Sequence, residues 1–211
     1  MNLQTQGRYR LLGVSGSLRR GSYNTAILQS MADFGSQKAM LTIFPMNDIP
    51  PYDGDLDGDR PPAAVVAFKR AIDDCDGLVI CSPEYNFGMP GVLKNALDWA
   101  SRPSSDSPLK QKPVLIMSAS PGALGGARSH SQIRETLTAT RSRVLPRPPV
   151  TITNIKEKVI DGRLIDRSTI AFILDALDDL FLEINLMRIG RDLVQNDADE
   201  AKQCGGISAA R

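Results

Sequence analysis

Cysteine is scarce in this chain of 211 residues: Cys75, Cys81 and Cys204 form no C-x-x-C pair and cannot all pair with one another. That scarcity excludes a disulfide framework and a zinc knuckle, and it suits a reducing cytoplasm. An excess of charge of one sign is missing too. With 25 Lys and Arg against 24 Asp and Glu the formal charge is +1 and the pI lies near 7.7. No global field therefore draws the molecule to nucleic acid or to an anionic membrane surface. The expected partners are small molecules and copies of the chain itself. Nowhere do about 18 apolar residues run together, as a membrane span requires, and Met1 to Arg10 hold no apolar stretch of signal-peptide length. Neither membrane crossing nor export is expected. What the chain does have is ordinary core material, 42% hydrophobic and 23% charged residues, enough for one compact domain.

Apolar runs of strand length alternate with segments of helical period, the pattern of a parallel sheet covered by helices. The first strand is expected over Tyr9 to Val14, and after the loop from Ser15 to Tyr23 a helix follows, with Ile27, Met31 and Phe34 at i, i+4 and i+7 and Gly35 as its stop. A second strand near Ala39 to Phe44 leads through a long polar loop to a helix opening at Pro61 or Pro62, where a fixed φ suits the first turn. Strand three is Gly77 to Cys81. A helix from near Pro90 puts Leu93, Leu97 and Ala100 on one face before Pro103 ends it, and Pro113 to Ser118 form strand four. A glycine-rich turn, a helix from about Ala127 to Thr140 and a fifth strand near Val150 to Thr153 follow, then a tight turn at Asp161-Gly162. The last helix carries a broad apolar stripe from Ile170 through Leu174 to Ile184. After Gly190 the pattern dissolves, so a folded unit over 1–190 and a loose tail over 191–211 are expected.

In a doubly wound sheet, ligands bind beyond the carboxyl ends of the strands, so the loops at Ser15, Ser82 and Ala119 should meet in one crevice. The first loop runs Gly16-Ser17-Leu18-Arg19-Arg20-Gly21-Ser22-Tyr23-Asn24 and ends at a helix N-terminus, where unpaired N–H groups and the helix dipole favour an anion. The hydroxyls of Ser17 and Ser22, the Asn24 amide and Arg19 add donors. Both the dinucleotide fingerprint G-x-G-x-x-G and the G-K-[ST] ending of a P-loop are absent, which favours a monophosphate over a Rossmann-bound NAD or a hydrolysed nucleotide. The same serines and Asn24 would also serve simply as helix cap and turn, and the loop by itself leaves both readings open.

The second loop, Ser82-Pro83-Glu84-Tyr85-Asn86-Phe87-Gly88-Met89-Pro90-Gly91, offers an aromatic ring, an amide and exposed backbone, a set suited to a flat heterocycle. Three runs stand in order at strand ends: G-S-x-R-x-x-S-x-N from Gly16 to Asn24, S-P-E-Y-N from Ser82 to Asn86, and L-K-N-A-L-D-W from Leu93 to Trp99. Together they resemble the NADPH-dependent FMN reductase family of flavodoxin-like flavoproteins, which includes quinone, azo-dye and chromate reductases. The likeness extends from about Arg10 to Leu186.

That resemblance implies an α/β, flavodoxin-like, doubly wound five-stranded parallel sheet of order 2-1-3-4-5 with helices on both faces. It implies that Ser17, Arg19, Ser22 and Asn24 hold the FMN phosphate, and that Pro83, Glu84, Tyr85 and Asn86 line the ribityl chain and ring. Ser118, Ser120, Gly122, Gly125 and Gly126 form the third wall. Glycines there would let backbone approach a planar ring and present N–H groups to it, although such turns also open helices without any ligand. The implied reaction is a ping-pong cycle: NAD(P)H reduces FMN, the oxidised nicotinamide leaves, and a quinone, azo compound, chromate or free flavin takes the same face. No catalytic acid, base or metal is called for. Arg19, Arg20, Arg102 and Arg128 are candidate contacts for the nicotinamide phosphate, with Arg128 favoured by its place after Gly125-Gly126. A homodimer or homotetramer is implied by the family's habit of pairing helices beside the flavin loops. The competing class is a flavodoxin-like electron carrier without NAD(P)H turnover, against which the near-neutral charge argues.

Other features invite chemistry and fail it. Asp53-Gly54-Asp55-Leu56-Asp57-Gly58-Asp59 copies the start of a calcium loop, but position twelve is Ala64 rather than glutamate. It is read as a solvated acidic loop. His130, the one histidine, has no evident carboxylate partner in sequence and is read as near-site or surface. Cys81 lacks the arginine six positions on that a phosphatase nucleophile needs, since Phe87 stands there, so it is read as a small buried hydrophobe. Met89 and Trp99 are read as packing. Glu84, a charge in an apolar loop, needs a partner, and a subunit interface is one place to find it.

Overall fold

The computed structural model describes residues 8–35, 37–58 and 60–205, the last ten as backbone only. The readings of Met1 to Gly7, of Asp59 and of residues 206–211 fall outside the described residues. Along the chain run β1 (Tyr9–Ser15), α1 (Tyr23–Phe34), β2 (Ala39–Ile43), α2 (Ala63–Asp74), β3 (Gly77–Ser82), α3 (Gly91–Ala100), β4 (Pro113–Ala119) and α4 (Ser129–Ala139). Then come β5 (Arg143–Val144), β6 (Val150–Ile152), the hairpin strands β7 (Val159–Ile160) and β8 (Arg163–Leu164), and α5 (Arg167–Gly205). Strands of the main sheet lie in the order β2-β1-β3-β4-β5, all parallel, with β6 also paired to β4.

The expected order therefore holds, with one difference in its outer strand. β5 pairs with Pro113 and Val114 at the start of β4, while β6 pairs with Met117 to Ala119 at its end. Between them lie Pro146, Pro148 and Pro149, which cannot donate to a ladder and so split one strand position into two short pieces.

Alternation along the strands decides which helix goes where. Leu12, Val14, Leu78, Ile80, Val114 and Ile116 pack in one cluster with Phe68 and Ile72 of α2, Leu93 and Leu97 of α3, and Ile133 and Leu137 of α4. Leu11, Val79, Cys81, Leu115 and Met117 point to the opposite face and meet Ile27, Leu28 and Met31 of α1 together with Ile173, Leu177, Leu180 and Ile184 of α5. Each fully buried Leu or Ile in these layers contributes roughly 1.5–3 kcal/mol. Burial on both faces is why the strands read as continuous apolar runs.

Asp166 opens α5: its carboxylate accepts from the Thr169 N–H at 2.8 Å and the Ser168 hydroxyl at 2.7 Å, bonds that lower its pKa to about 2. Of the expected stripe, Leu174 turns outward at 37% exposure. The backbone of α5 continues helical past Gly190, to Gly205. The core it packs against ends near Ile184, and residues 191–195 that follow are exposed. Among the described residues no helix is long and apolar enough to cross a membrane.

Candidate functional site

The sheet reverses its winding between β1 and β3, and their carboxyl ends open a crevice there. Gly16 marks how closely the two ends run. Its N–H donates to the Cys81 carbonyl at 2.9 Å, and a Cβ on it would stand 2.8 Å from Ser82 Cβ and 3.0 Å from Ser82 Cα. Only glycine fits that crossing.

Beyond Gly16 the first loop is stiffened from within. Ser15 Oγ pairs with Thr25 Oγ1 at 2.7 Å and accepts the Ser17 N–H at 3.3 Å, while Ser17 Oγ accepts the Arg19 N–H at 3.3 Å. Ser22, extended at φ −71° and ψ 121°, caps α1 by accepting the Thr25 N–H. The N–H groups of Tyr23 and Asn24 begin the helix, where no earlier helical carbonyl can reach them. Arg19 is exposed at the loop's edge, 5.7 Å from the Tyr23 ring centroid.

The second loop closes into a two-residue hairpin, with Tyr85 and Gly88 exchanging backbone hydrogen bonds at 3.0 Å. Its tip residues Asn86 and Phe87 sit at φ 50° and 66°, the mirror-image turn that hairpins favour and that costs a phenylalanine some strain. α4 holds this tip in place. Gln132 Oε1 accepts the Met89 N–H at 2.7 Å, Glu84 Oε2 accepts the Arg128 N–H at 2.9 Å, and the Arg128 guanidinium lies 4.2 Å from the Phe87 ring centroid. Glu84 thus finds its partner within the chain, in Arg128, whose Nη1 is also 4.0 Å from Glu84 Oε1.

In the third loop Gly125 and Gly126 turn the chain at φ 59° and 86°. A Cβ at Gly125 would stand 3.0 Å from the Ile152 backbone. Ser118 Oγ donates to the Gly125 carbonyl at 2.7 Å and lies 2.9 Å from His130 Nε2. His130 is therefore no surface residue. It is 2% exposed, and burial with Arg134 nearby lowers its pKa to about 4.

These loops share one cavity of about 270 Å³, lined by Ser17, Arg19, Ser22, Asn24, Pro83, Glu84, Tyr85 and Ser120 together with Tyr23, Ala119 and Pro121. Eight of the residues expected at the site come together here. Asn86, Gly122, Gly125 and Gly126 lie in the adjoining turns, outside the lining. Ser118 is fully buried with its hydroxyl committed to the Gly125 carbonyl and His130. Arg20 and Arg128 are outside the lining, and Arg102 borders a larger open groove of about 840 Å³ between α3 and α4. That groove is away from the strand ends, so it is not where this fold collects ligands.

Sequence reasoning placed Tyr23 and Ala119 in the converging loops without giving either a role at the site, and it passed over Pro121. Tyr23 falls at an unspecified position of the first run, and Ala119 and Pro121 show no chemistry until the end of β4 is seen to face α1. Cys81 and Met89 are buried and Trp99 is fully enclosed, as expected of packing residues. In the acidic loop Asp53 caps a short 3₁₀ turn at Gly54–Leu56 and Asp57 pairs with Lys69 at 3.0 Å.

A switch-point crevice at the carboxyl edge of a 2-1-3-4-5 sheet, entered by a serine- and arginine-bearing loop, defines the flavodoxin-like class of mononucleotide-site proteins. Within it the chain belongs to the NADPH-dependent FMN reductase family, whose model matches residues 9–157. The chain is 38% identical over 180 residues to an NAD(P)H-dependent FMN reductase of Pseudomonas aeruginosa, covering 85% of this chain and 97% of the relative. It is 37% identical over 167 residues to a quinone reductase of Escherichia coli, covering 77% and 88%. Among solved structures, the flavoenzyme NAD(P)H:(acceptor) oxidoreductase FerB of Paracoccus denitrificans superposes with a TM-score of 0.76 at 27% identity, over 84% of this chain and 97% of that one.

Proposed function

We propose that this chain is an FMN-dependent NAD(P)H oxidoreductase that reduces quinones, with azo compounds, chromate and free flavin as further acceptors. The observation that carries the reading is the shared cavity, which brings Ser17, Arg19 and Ser22 at the start of α1 opposite Pro83, Glu84, Tyr85 and Ser120. The relatives support it, being named NAD(P)H-dependent FMN reductase, quinone reductase and 2-hydroxy-1,4-benzoquinone reductase.

The residues present fit FMN. Two hydroxyls, a guanidinium and a helix N-terminus make a donor set for a phosphate dianion, and the close Gly16–Ser82 crossing brings the first and second loops side by side at the cavity. In the proposal Ser17, Arg19 and Ser22 hold the phosphate. Pro83, Glu84, Tyr85 and Ser120 line the chain and ring, and the turns at Asn86, Gly122, Gly125 and Gly126 shape the walls beside them. FMN supplies the hydride chemistry when bound, so the protein's work is binding, orientation and exclusion of water.

Leu18, Tyr85, Phe87 and Leu124 leave these loops exposed at 42%, 53%, 70% and 54%, an apolar rim suited to planar donors and acceptors. One open face serves both half-reactions in a ping-pong order, the oxidised nicotinamide leaving before the acceptor arrives. Arg128 and Arg19 are the proposed contacts to the NADPH phosphate. The same apolar residues are a surface for a second copy, and we read the protein as a cytoplasmic homodimer or homotetramer. Steady-state oxidation of NADPH and of NADH by purified protein reconstituted with FMN, run against a panel of quinone, azo, chromate and flavin acceptors, tests the function. Tight FMN binding without turnover of any acceptor would instead identify an electron carrier.

A further inference from the structure

Asn24 is the second residue of α1, is 4% exposed and borders the cavity, and both polar atoms of its side chain are hydrogen-bonded within the fold. Its Oδ1 accepts the Ala119 N–H at 3.0 Å and its Nδ2 donates to the Ala119 carbonyl at 3.2 Å. The Cys81 thiol donates to the same Oδ1 at 3.3 Å. The carboxamide orientation follows from its partner, since Ala119 presents one donor and one acceptor and only one placement satisfies both.

The β3–β4 ladder ends at Ser82↔Ser118. The next residue of β4 to face β3 is Ala119, because Ser120 sends its N–H the other way, to the Ile152 carbonyl at 3.2 Å. β3 has by then left the sheet for Pro83. The Asn24 carboxamide, which carries the donor and acceptor of a peptide group, therefore makes the rung that β3 no longer makes. It ties the first turn of α1 to the end of β4, and both tied residues line the cavity.

We propose that Asn24 is a positioning residue that sets the width of the flavin crevice, and that its side chain is not a phosphate ligand. The proposal rests on the FMN reading above. Its Oδ1 is an acceptor and already accepts from two donors, and one of its two Nδ2 protons is held by the Ala119 carbonyl, which fixes the amide plane on β4, whereas Ser17, Arg19 and Ser22 carry donors at the loop and helix start. Loss of the amide would leave the buried Ala119 N–H and carbonyl unpaired and let the first and third loops part.

The test compares FMN with riboflavin, which lacks the phosphate, by quenching of flavin fluorescence on wild type, Asn24→Ala and Arg19→Ala. Asn24→Ala is expected to weaken both flavins by the same factor, about ten-fold or more, with the ratio of their dissociation constants unchanged. Arg19→Ala should weaken FMN selectively. A selective loss of FMN with Asn24→Ala, or no loss of either flavin, overturns the proposal. Amide hydrogen exchange on the wild-type apoprotein provides the check if the variant fails to fold: Ala119 must be protected, and free exchange there overturns the clamp. Wild type that binds neither flavin overturns the functional reading instead, and the exchange measurement then decides the clamp alone.

Discussion

His130 Nε2 stands 2.9 Å from Ser118 Oγ, and that hydroxyl donates its proton 2.7 Å onward to the Gly125 carbonyl. The direction of the relay follows: with the serine proton committed, Nε2 must be the donor, and the neutral imidazole keeps a bare Nδ1, which is buried without a partner among the described residues. A protonated ring would add a second donor with nothing to accept it. The ring's pKa accordingly lies near 4 when folded, through burial first and Arg134 second, against an ordinary value of 6.5. Because the folded value is the lower one, the unfolded chain takes up the proton first. Stability is unaffected above about pH 6.5 and falls as pH drops from there to about 4, by on the order of 3 kcal/mol at most. Thermal melts of wild type should show this acid loss, and His130→Gln, which keeps a donor near Nε2 without titrating, should show less of it. Equal acid slopes for the two proteins would remove His130 from the account.

The two ends of the third loop should respond differently to the same substitution. Gly125→Ala puts a Cβ 3.0 Å from the Ile152 backbone at φ 59°, which should cost about 1–3 kcal/mol and weaken FMN binding. Gly122→Ala meets nothing nearer than Ser120 Oγ at 3.7 Å. It should change stability by less than about 0.5 kcal/mol. Urea melts of both variants make the comparison, and equal effects would mean the turn relaxes freely.

Arg128 holds the hairpin tip by stacking on Phe87 and pairing with Glu84, in a half-exposed setting. Arg128→Ala should therefore lower stability by no more than about 1 kcal/mol. If its guanidinium also meets the nucleotide phosphate, the Michaelis constant for NADPH rises several-fold while that for NADH and kcat stay close to wild type. Unchanged constants for both nucleotides would leave Arg128 as a structural brace only.

Trp99 fastens the long loop after β2 to α3. Its Nε1–H and Asn95 Nδ2 both donate to the Pro50 carbonyl at 2.8 Å, and Tyr52 packs edge-on at 4.9 Å. Trp99→Phe removes one of these bonds and part of a fully buried ring, so a loss of about 1–2 kcal/mol with the fold intact is expected. Denaturant unfolding followed by far-ultraviolet circular dichroism would measure it, and a loss of native signal without denaturant would contradict the expectation.

The helices and strands were legible because burial on one or both faces imposes a period, and the three strand-end loops were legible because their glycines, serines and amides stand where that apolar period breaks. Residue roles were less so. Asn24 and Ser118 have the chemistry of ligands, but whether an amide or hydroxyl faces a cavity or a neighbouring backbone depends on where the ladder ends. β5 was invisible for a related reason, since two residues beside prolines carry no periodic signal. The run of α5 past Gly190 shows no apolar stripe, and so no helical period marks it.

Length, charge balance and the alternation of apolar runs were sufficient to dictate a parallel sheet with helices on both faces, because a chain must hide such runs and has few ways to do it. The motifs at the strand ends were sufficient to mark which loops line the crevice. Only the folded chain settled which groups are spent on holding the loops together: the Asn24 carboxamide on Ala119, Ser118 on Gly125, His130 on Ser118, Glu84 on Arg128. These partners are 95, 7 to 12 and 44 residues apart in sequence. Hydrogen bonds over such separations depend on distances of a few ångströms that residue order does not specify.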